Sequence, residues 1–284
     1  MFTGCNALLP NEIRPAEALP ISPRNPRGAN VGYVSATIPA GGNKTFAVTL
    51  TDCANPGAAV RVDQLLASED FYGNSFANAD QIWRWDTTVN KWAKYFYERK
   101  GRPGQYTYAW KKYNYAESKV EDITGVDVVE PGETFIFTRA GAADSISLTL
   151  SGQVAEFTVT PAYQIPAGGN VFMAYPWPIE IKISALESLV AAETYAAFYG
   201  NSFANADQIW RWDASINKWA KYFYERKGRP GQYTYAWKKW NYAESKVEDL
   251  TNDDVVHAGE GFIFTRAGAA ETLNFQWKAL QAAE

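Results

Sequence analysis

The sequence predicts an all-β protein: two tandem homologous β-sandwich or barrel-like domains behind an extended Pro-rich N-terminal arm. Three observations carry this reading. Residues 71–143 recur as residues 198–270 at a constant offset of 127 with no gap, and 63 of the 73 positions are identical. Within each copy, short alternating apolar runs are separated by Gly, Pro and Asn clusters, which is the pattern of strands and tight turns. Residues 1–30 hold five of the 14 prolines (Pro10, Pro15, Pro20, Pro23 and Pro26) and have no counterpart in the second half.

The duplication sets the domain organisation. A period of 127 residues is too long for a solenoid unit and suits a whole domain. The match continues upstream, where Ile38-Pro39-Ala40-Gly41-Gly42-Asn43 returns as Ile165-Pro166-Ala167-Gly168-Gly169-Asn170. The expected division is an arm over residues 1–30, a first β-domain over 31–152 and a second over 153–284. Proline spacing in the arm blocks both helix and central strand, so an extended segment ordered by packing on another surface is expected. The only cysteines are Cys5 and Cys53. A disulfide between them would tie the arm to the first domain in an oxidising compartment; two idle thiols are the alternative.

The elements follow in order. Residues 31–38 and 45–50 read as strands flanking the Pro-Ala-Gly-Gly-Asn turn. Residues 81–85 and 91–98 form a third and a fourth strand around a loop at 86–90. The turn Lys100-Gly101-Arg102-Pro103-Gly104 leads into a strand over 105–111, and residues 133–138 and 145–150 complete about seven. Only residues 62–68 and, in the second copy, 185–192 read as helical.

Composition narrows the function. Apolar residues make up 46% and charged residues 20% of the 284, enough to bury a core in each half. A net charge of −4 and a pI near 5.3 disfavour a nucleic-acid binder. Residues 71–143 interleave ten Lys/Arg with nine Asp/Glu, so the local field nearly cancels. No apolar run is long enough to span a bilayer. The start, Met1-Phe2-Thr3-Gly4-Cys5, shows no basic region followed by an apolar one, so no export signal is read in this chain.

The conspicuous excess is aromatic, with 11 Trp, 17 Tyr and 15 Phe. Strand alternation puts Trp83 and Trp85 on one face, and Ile82 and Arg84 on the other. In the next strand Trp92, Lys94 and Phe96 oppose Tyr95 and Tyr97. Beyond the turn, Tyr106, Tyr108 and Trp110 share a face. One core cannot absorb aromatics on both faces, so some are expected to form an exposed binding surface. The candidate faces are Trp83, Trp85, Trp92, Tyr95, Tyr97, Tyr106, Tyr108 and Trp110, with Trp210, Trp212, Trp219, Tyr222, Tyr224, Tyr233, Tyr235 and Trp237 as their duplicates. Tyr and Trp beside Arg suit protein contacts, and beside Asn, Asp and Arg they suit sugar rings.

Catalytic patterns are sparse. His257 is the single histidine and its counterpart is Glu130, so no His-dependent triad can form in the first domain. His257 reads as a surface residue. One His and two distant Cys do not make a zinc site, and no cofactor or metal is implied. Asp80 with Asp86, or Glu117 with Glu121, read as loop caps and a solvated face rather than a glycosidase pair. Asn74, Asn78 and Asp80 carry oxygens without the EF-hand spacing. An enzyme is not expected.

The run Ala79-Asp80-Gln81-Ile82-Trp83-Arg84-Trp85-Asp86 is followed by Trp92, Tyr95-Phe96-Tyr97 and Pro131-Gly132-Glu133-Thr134-Phe135-Ile136-Phe137. The second copy carries Gly259-Glu260-Gly261-Phe262 at the last of these. This framework resembles uncharacterised secreted tandem β-domain proteins of verrucomicrobial and lentisphaeral bacteria, over most of both repeats. The resemblance implies export and a cell-surface or extracellular setting. The expected function is that of a non-catalytic structural or adhesive protein, assembling through its arm and aromatic faces with itself or with a cell-surface partner. The alternative is a bivalent glycan-binding protein whose duplicated Trp/Tyr platforms hold a polysaccharide.

Overall fold

A computed structural model describes residues 31–51, 58–86, 91–154, 162–213, 218–242 and 244–278. The arm, Cys5 and Cys53 lie outside the described residues. The chain is all-β and divides into two compact units, Met1–Glu156 and Phe157–Glu284.

The first domain contains β1 (Val31–Ile38), β2 (Asn43–Ala47), β3 (Leu50–Thr51), β4 (Val60–Arg61), β5 (Gln81–Asp86), β6 (Lys91–Lys100), β7 (Thr107–Asn114), β8 (Lys119–Asp122), β9 (Val128–Val129), β10 (Thr134–Thr138) and β11 (Ile146–Val154). The main sheet is antiparallel with six strands in the order β2-β10-β5-β6-β7-β8. A three-stranded sheet, β1-β11-β3, forms the second layer, and β4 pairs with β9. The chain leaves the main sheet after Ala47 and enters the second at Leu50, turning on a hydrogen bond from Thr49 N to Ala47 O. The run expected as one strand over 45–50 is thus a corner between two sheets, as sandwiches build them.

The core lies between the layers. Phe46, Ile82, Tyr95, Phe135 and Phe137 project from the main sheet, and Ile38, Ile146 and Leu148 from the second. Alternation supplies each set, because every second residue of a strand points inward. Phe46 and Phe135 face each other in register and stack at 5.5 Å.

Some expectations are corrected. Residues 62–68 form a 3-10 turn at Val62–Gln64 rather than a helix, since Ala67 is drawn into a bridge with Thr149. The strand expected at 105–111 runs over Thr107–Asn114, and β8 pairs beside it through Lys111↔Asp122 and Tyr113↔Val120. Sequence reasoning missed β8 because its four residues, Lys-Val-Glu-Asp, are mostly charged.

The second domain repeats the plan with β12 (Ala162–Ile165), β13 (Asn170–Ala174), β14 (Ile181–Lys182), β15 (Gln208–Asp213), β16 (Lys218–Lys227), β17 (Thr234–Asn241), β18 (Lys246–Asp249), β19 (Val255–Val256), β20 (Gly261–Thr265) and β21 (Leu273–Gln276). Its main sheet has the matching order β13-β20-β15-β16-β17-β18, with β12 paired to β21 and β14 to β19. The helical expectation at 185–192 resolves into two short helices, α1 (Leu186–Leu189) and α2 (Ala192–Ala196). They are separated by Val190, which bridges to Trp277.

Candidate functional site

The aromatic residues fall into three environments, distinguished by burial and by what packs on them. Tyr224 and Trp237, 4% and 5% exposed in the second domain, are corrections to the expected binding faces, and so are Tyr95 and Tyr222. Tyr95 and Tyr222 are fully buried, because they stand opposite Ile82 and Ile209 at the centre of the inner face. The Tyr95 hydroxyl donates to Asp127 Oδ1 at 2.9 Å, and that of Tyr222 to Asp254 at 3.0 Å. Burial would push the Asp127 carboxyl up, but hydrogen bonds from Lys112, Thr124 and Tyr95 outweigh it and hold it below its ordinary value. Asp254 behaves alike.

Trp83, Trp85 and Trp92 occupy the outer face of the main sheet, half-buried. Lys94 Nζ sits 3.6 Å over the Trp83 ring, and Trp85 packs edge-on against Trp92 at 5.1 Å. Phe76 stacks on Tyr113 at 4.3 Å beside them. The second copy repeats this with Trp210 under Lys221, Trp212 against Trp219, and Phe203 on Trp240, which replaces Tyr113.

The third environment is a cleft formed by β6, β7 and the connection that precedes β5. In the first domain it has a volume of about 350 Å³ and is lined by Glu69, Phe71, Tyr72, Gly73, Tyr97, Arg99 and Tyr108. Tyr97 and Tyr108 stack at 5.8 Å with planes 19° apart, and Phe71 packs edge-on against Tyr97 and Trp110. Tyr106 lies beside them beneath the Arg99 guanidinium at 4.8 Å. Gly73 is needed for this packing. A Cβ there would stand 2.5 Å from Cδ1 of Tyr108, closer than carbon atoms approach. Burial, and Tyr108 after it, raise the Tyr97 phenol above its ordinary value, so it stays protonated and able to donate. Sequence alternation found Tyr97, Tyr106, Tyr108 and Trp110; it missed Glu69 and Phe71, which come from the preceding connection.

A buried ion pair holds that connection. Asp80 accepts from Arg139 Nη1 at 2.5 Å, from Tyr72 N at 2.7 Å and from Ala140 N at 2.8 Å. Arg139 in turn donates to the carbonyl of Asp70 at 3.0 Å. Phe71, Tyr72 and Gly73 are thereby clamped against β10. Asp207 and Arg266 repeat the device. This places Asp80 in the interior as a charge partner, apart from any carboxylate pair with Asp86. Glu117 and Glu121 both engage Lys119 on the surface. His257 is half-exposed, with Nδ1 2.9 Å from Glu180.

Among the described residues, no group of three or more His, Cys, Asp or Glu side chains is placed to hold a metal ion. Among the same residues, no helix is long and apolar enough to cross a membrane. No protein-family model matches the chain. No curated protein matches it either.

Proposed function

We propose that the chain is a non-catalytic carbohydrate-binding protein of the cell exterior, holding a saccharide in the aromatic cleft of its first domain. The observation that carries the reading is the cleft itself. The stacked Tyr97 and Tyr108 and the edge-on Phe71 form an apolar wall, with Glu69 and Arg99 at its rim. The C–H face of a pyranose is apolar and its hydroxyls lie in the ring plane. It therefore matches a flat aromatic wall bordered by one acceptor-rich and one donor-rich side chain. At about 350 Å³ the cleft falls at the small end of ligand sites, in keeping with one or two sugar rings rather than a long strand.

The test is a glycan array, followed by calorimetry on the best binder, with wild type and Tyr97→Ala. Saccharide binding that falls at least tenfold in the variant supports the reading. Equal binding by the variant, or no binding to any saccharide by wild type, removes it.

The structural and adhesive reading rests on a different observation, the half-buried Trp83, Trp85 and Trp92 on the outer face. A large Trp surface suits association with a second copy. Light scattering of wild type against Trp85→Ala/Trp92→Ala measures whether that face drives assembly.

A further inference from the structure

The two copies differ at the wall of the cleft. Between Leu65 and Phe71, the equivalents of Leu186 and Phe198, the first domain has five residues (66–70). Between Leu186 and Phe198 the second has eleven (187–197). The six extra residues contribute to α2, which lies beside the cleft position of the second domain. Thr194 of α2 is buried and docks the helix on β21, accepting from Gln276 N at 2.9 Å and donating to the Asn274 carbonyl. The next residue, Tyr195, lays its ring edge-on to Phe198 at 6.2 Å. Burial first, and then Tyr195 and Glu187, raise the Tyr224 phenol above its ordinary value.

The consequence shows in burial. Phe198, Tyr224 and Trp237 are 8%, 4% and 5% exposed, whereas their first-domain counterparts Phe71, Tyr97 and Trp110 all remain half-buried. The aromatic wall is otherwise the same, down to the Tyr224–Tyr235 stack at 5.7 Å. What differs is that in the second copy a hydroxylated six-membered ring from the chain already packs against the phenylalanine of that wall, Phe198.

We propose that Tyr195 takes, in the second domain, the place that one ring of the ligand takes in the first, so the chain carries one open ring-binding site and one self-occupied site. The saccharide identity of the ligand rests on the function proposed above; the self-occupation does not. Tyr195 also specifies the mode of binding. The ligand ring packs against Phe71, as the Tyr195 ring packs against Phe198. The 40% exposure of Tyr195 fits a ring resting on an open shelf rather than one sealed inside.

Calorimetry on the full chain tests this with two probes, cellohexaose for the saccharide and p-cresol for the bare phenol ring. Wild type should bind p-cresol once per chain, and Tyr97→Ala should abolish it. Tyr195→Ala should raise the stoichiometry to two, whereas Tyr195→Phe, which keeps the ring, should stay at one. Amide exchange of β21 verifies that the second domain of Tyr195→Ala is folded. Should that variant unfold, wild type still decides the matter, since two sites per chain in wild type overturn the proposal. A folded Tyr195→Ala that still binds once also overturns it. A p-cresol count that rises from one to two without any cellohexaose binding upholds the self-occupied site and counts against cellohexaose as the saccharide.

Discussion

Replacing Asp80 by Asn should destabilise the first domain by about 3–5 kcal/mol, the range for leaving one partner of a buried pair without its counter-charge. The structure supports the upper part of that range. Asp80 is 0% and Arg139 4% exposed, so water cannot rescue the guanidinium. An asparagine has the right shape but only one acceptor oxygen. Asp80 receives three donors, from Arg139, Tyr72 N and Ala140 N. In the Asp80→Asn variant the side-chain NH2 would have to face one of them. The domain loses a charge-assisted bond and gains a buried donor–donor contact. Against a total stability of about 5–15 kcal/mol this is a large share. Hydrogen exchange with mass spectrometry reads the domains separately, because β11 and β21 differ in sequence where the copies are otherwise nearly identical. Protected amides of β11 should exchange faster by at least about 100-fold, with β21 unchanged. Asp207→Asn should give the reverse pattern. Replacing both partners by Leu and Met should recover much of the loss, as apolar pairs of similar volume do. A loss below about 1 kcal/mol, or equal effects on β11 and β21, would refute the argument.

Gly73→Ala should force the Tyr108 ring off its shelf at a cost of about 1–3 kcal/mol. Its saccharide affinity should fall, whereas the matching Gly200→Ala should leave that affinity intact; both are read by calorimetry. The acid response should report Asp127 and Asp254. Their folded-state values are depressed, so the stability they contribute is present above the unfolded value near about 3.9 and drains away as pH falls through the folded one. Comparing urea midpoints of wild type and Asp127→Asn/Asp254→Asn from neutral pH to about pH 2 should show the gap between them closing below about pH 4. A gap that stays constant over that range would exclude the linkage. Tyr95→Phe should cost about 1.5–3 kcal/mol, the worth of a buried hydrogen bond to a charged group, measured by the same denaturation.

The repeat, the all-β class and the hairpin faces were legible in the sequence because each is a local or self-comparing property. An offset of 127 needs no structure, and a period of two assigns Tyr95 and Tyr97 to one side of β6 whatever packs there. Coverage is not local. Tyr95 is sealed and Tyr97 is half-buried at an open cleft, although they are two residues apart on the same face. What distinguishes them is the segment each meets: Asp127, beside β9, takes the Tyr95 hydroxyl, whereas Tyr97 lines the cleft. The same reason hid the Asp80–Arg139 clamp, whose partners lie 59 residues apart and whose carboxylate reads singly as an ordinary loop cap. It also hid the difference between the copies. The effect of six extra residues in one connection depends on Thr194 docking α2 to β21 and setting Tyr195 against Phe198. Alternation and turn chemistry decide which way a side chain points; what meets it there is settled by segments far away in the chain.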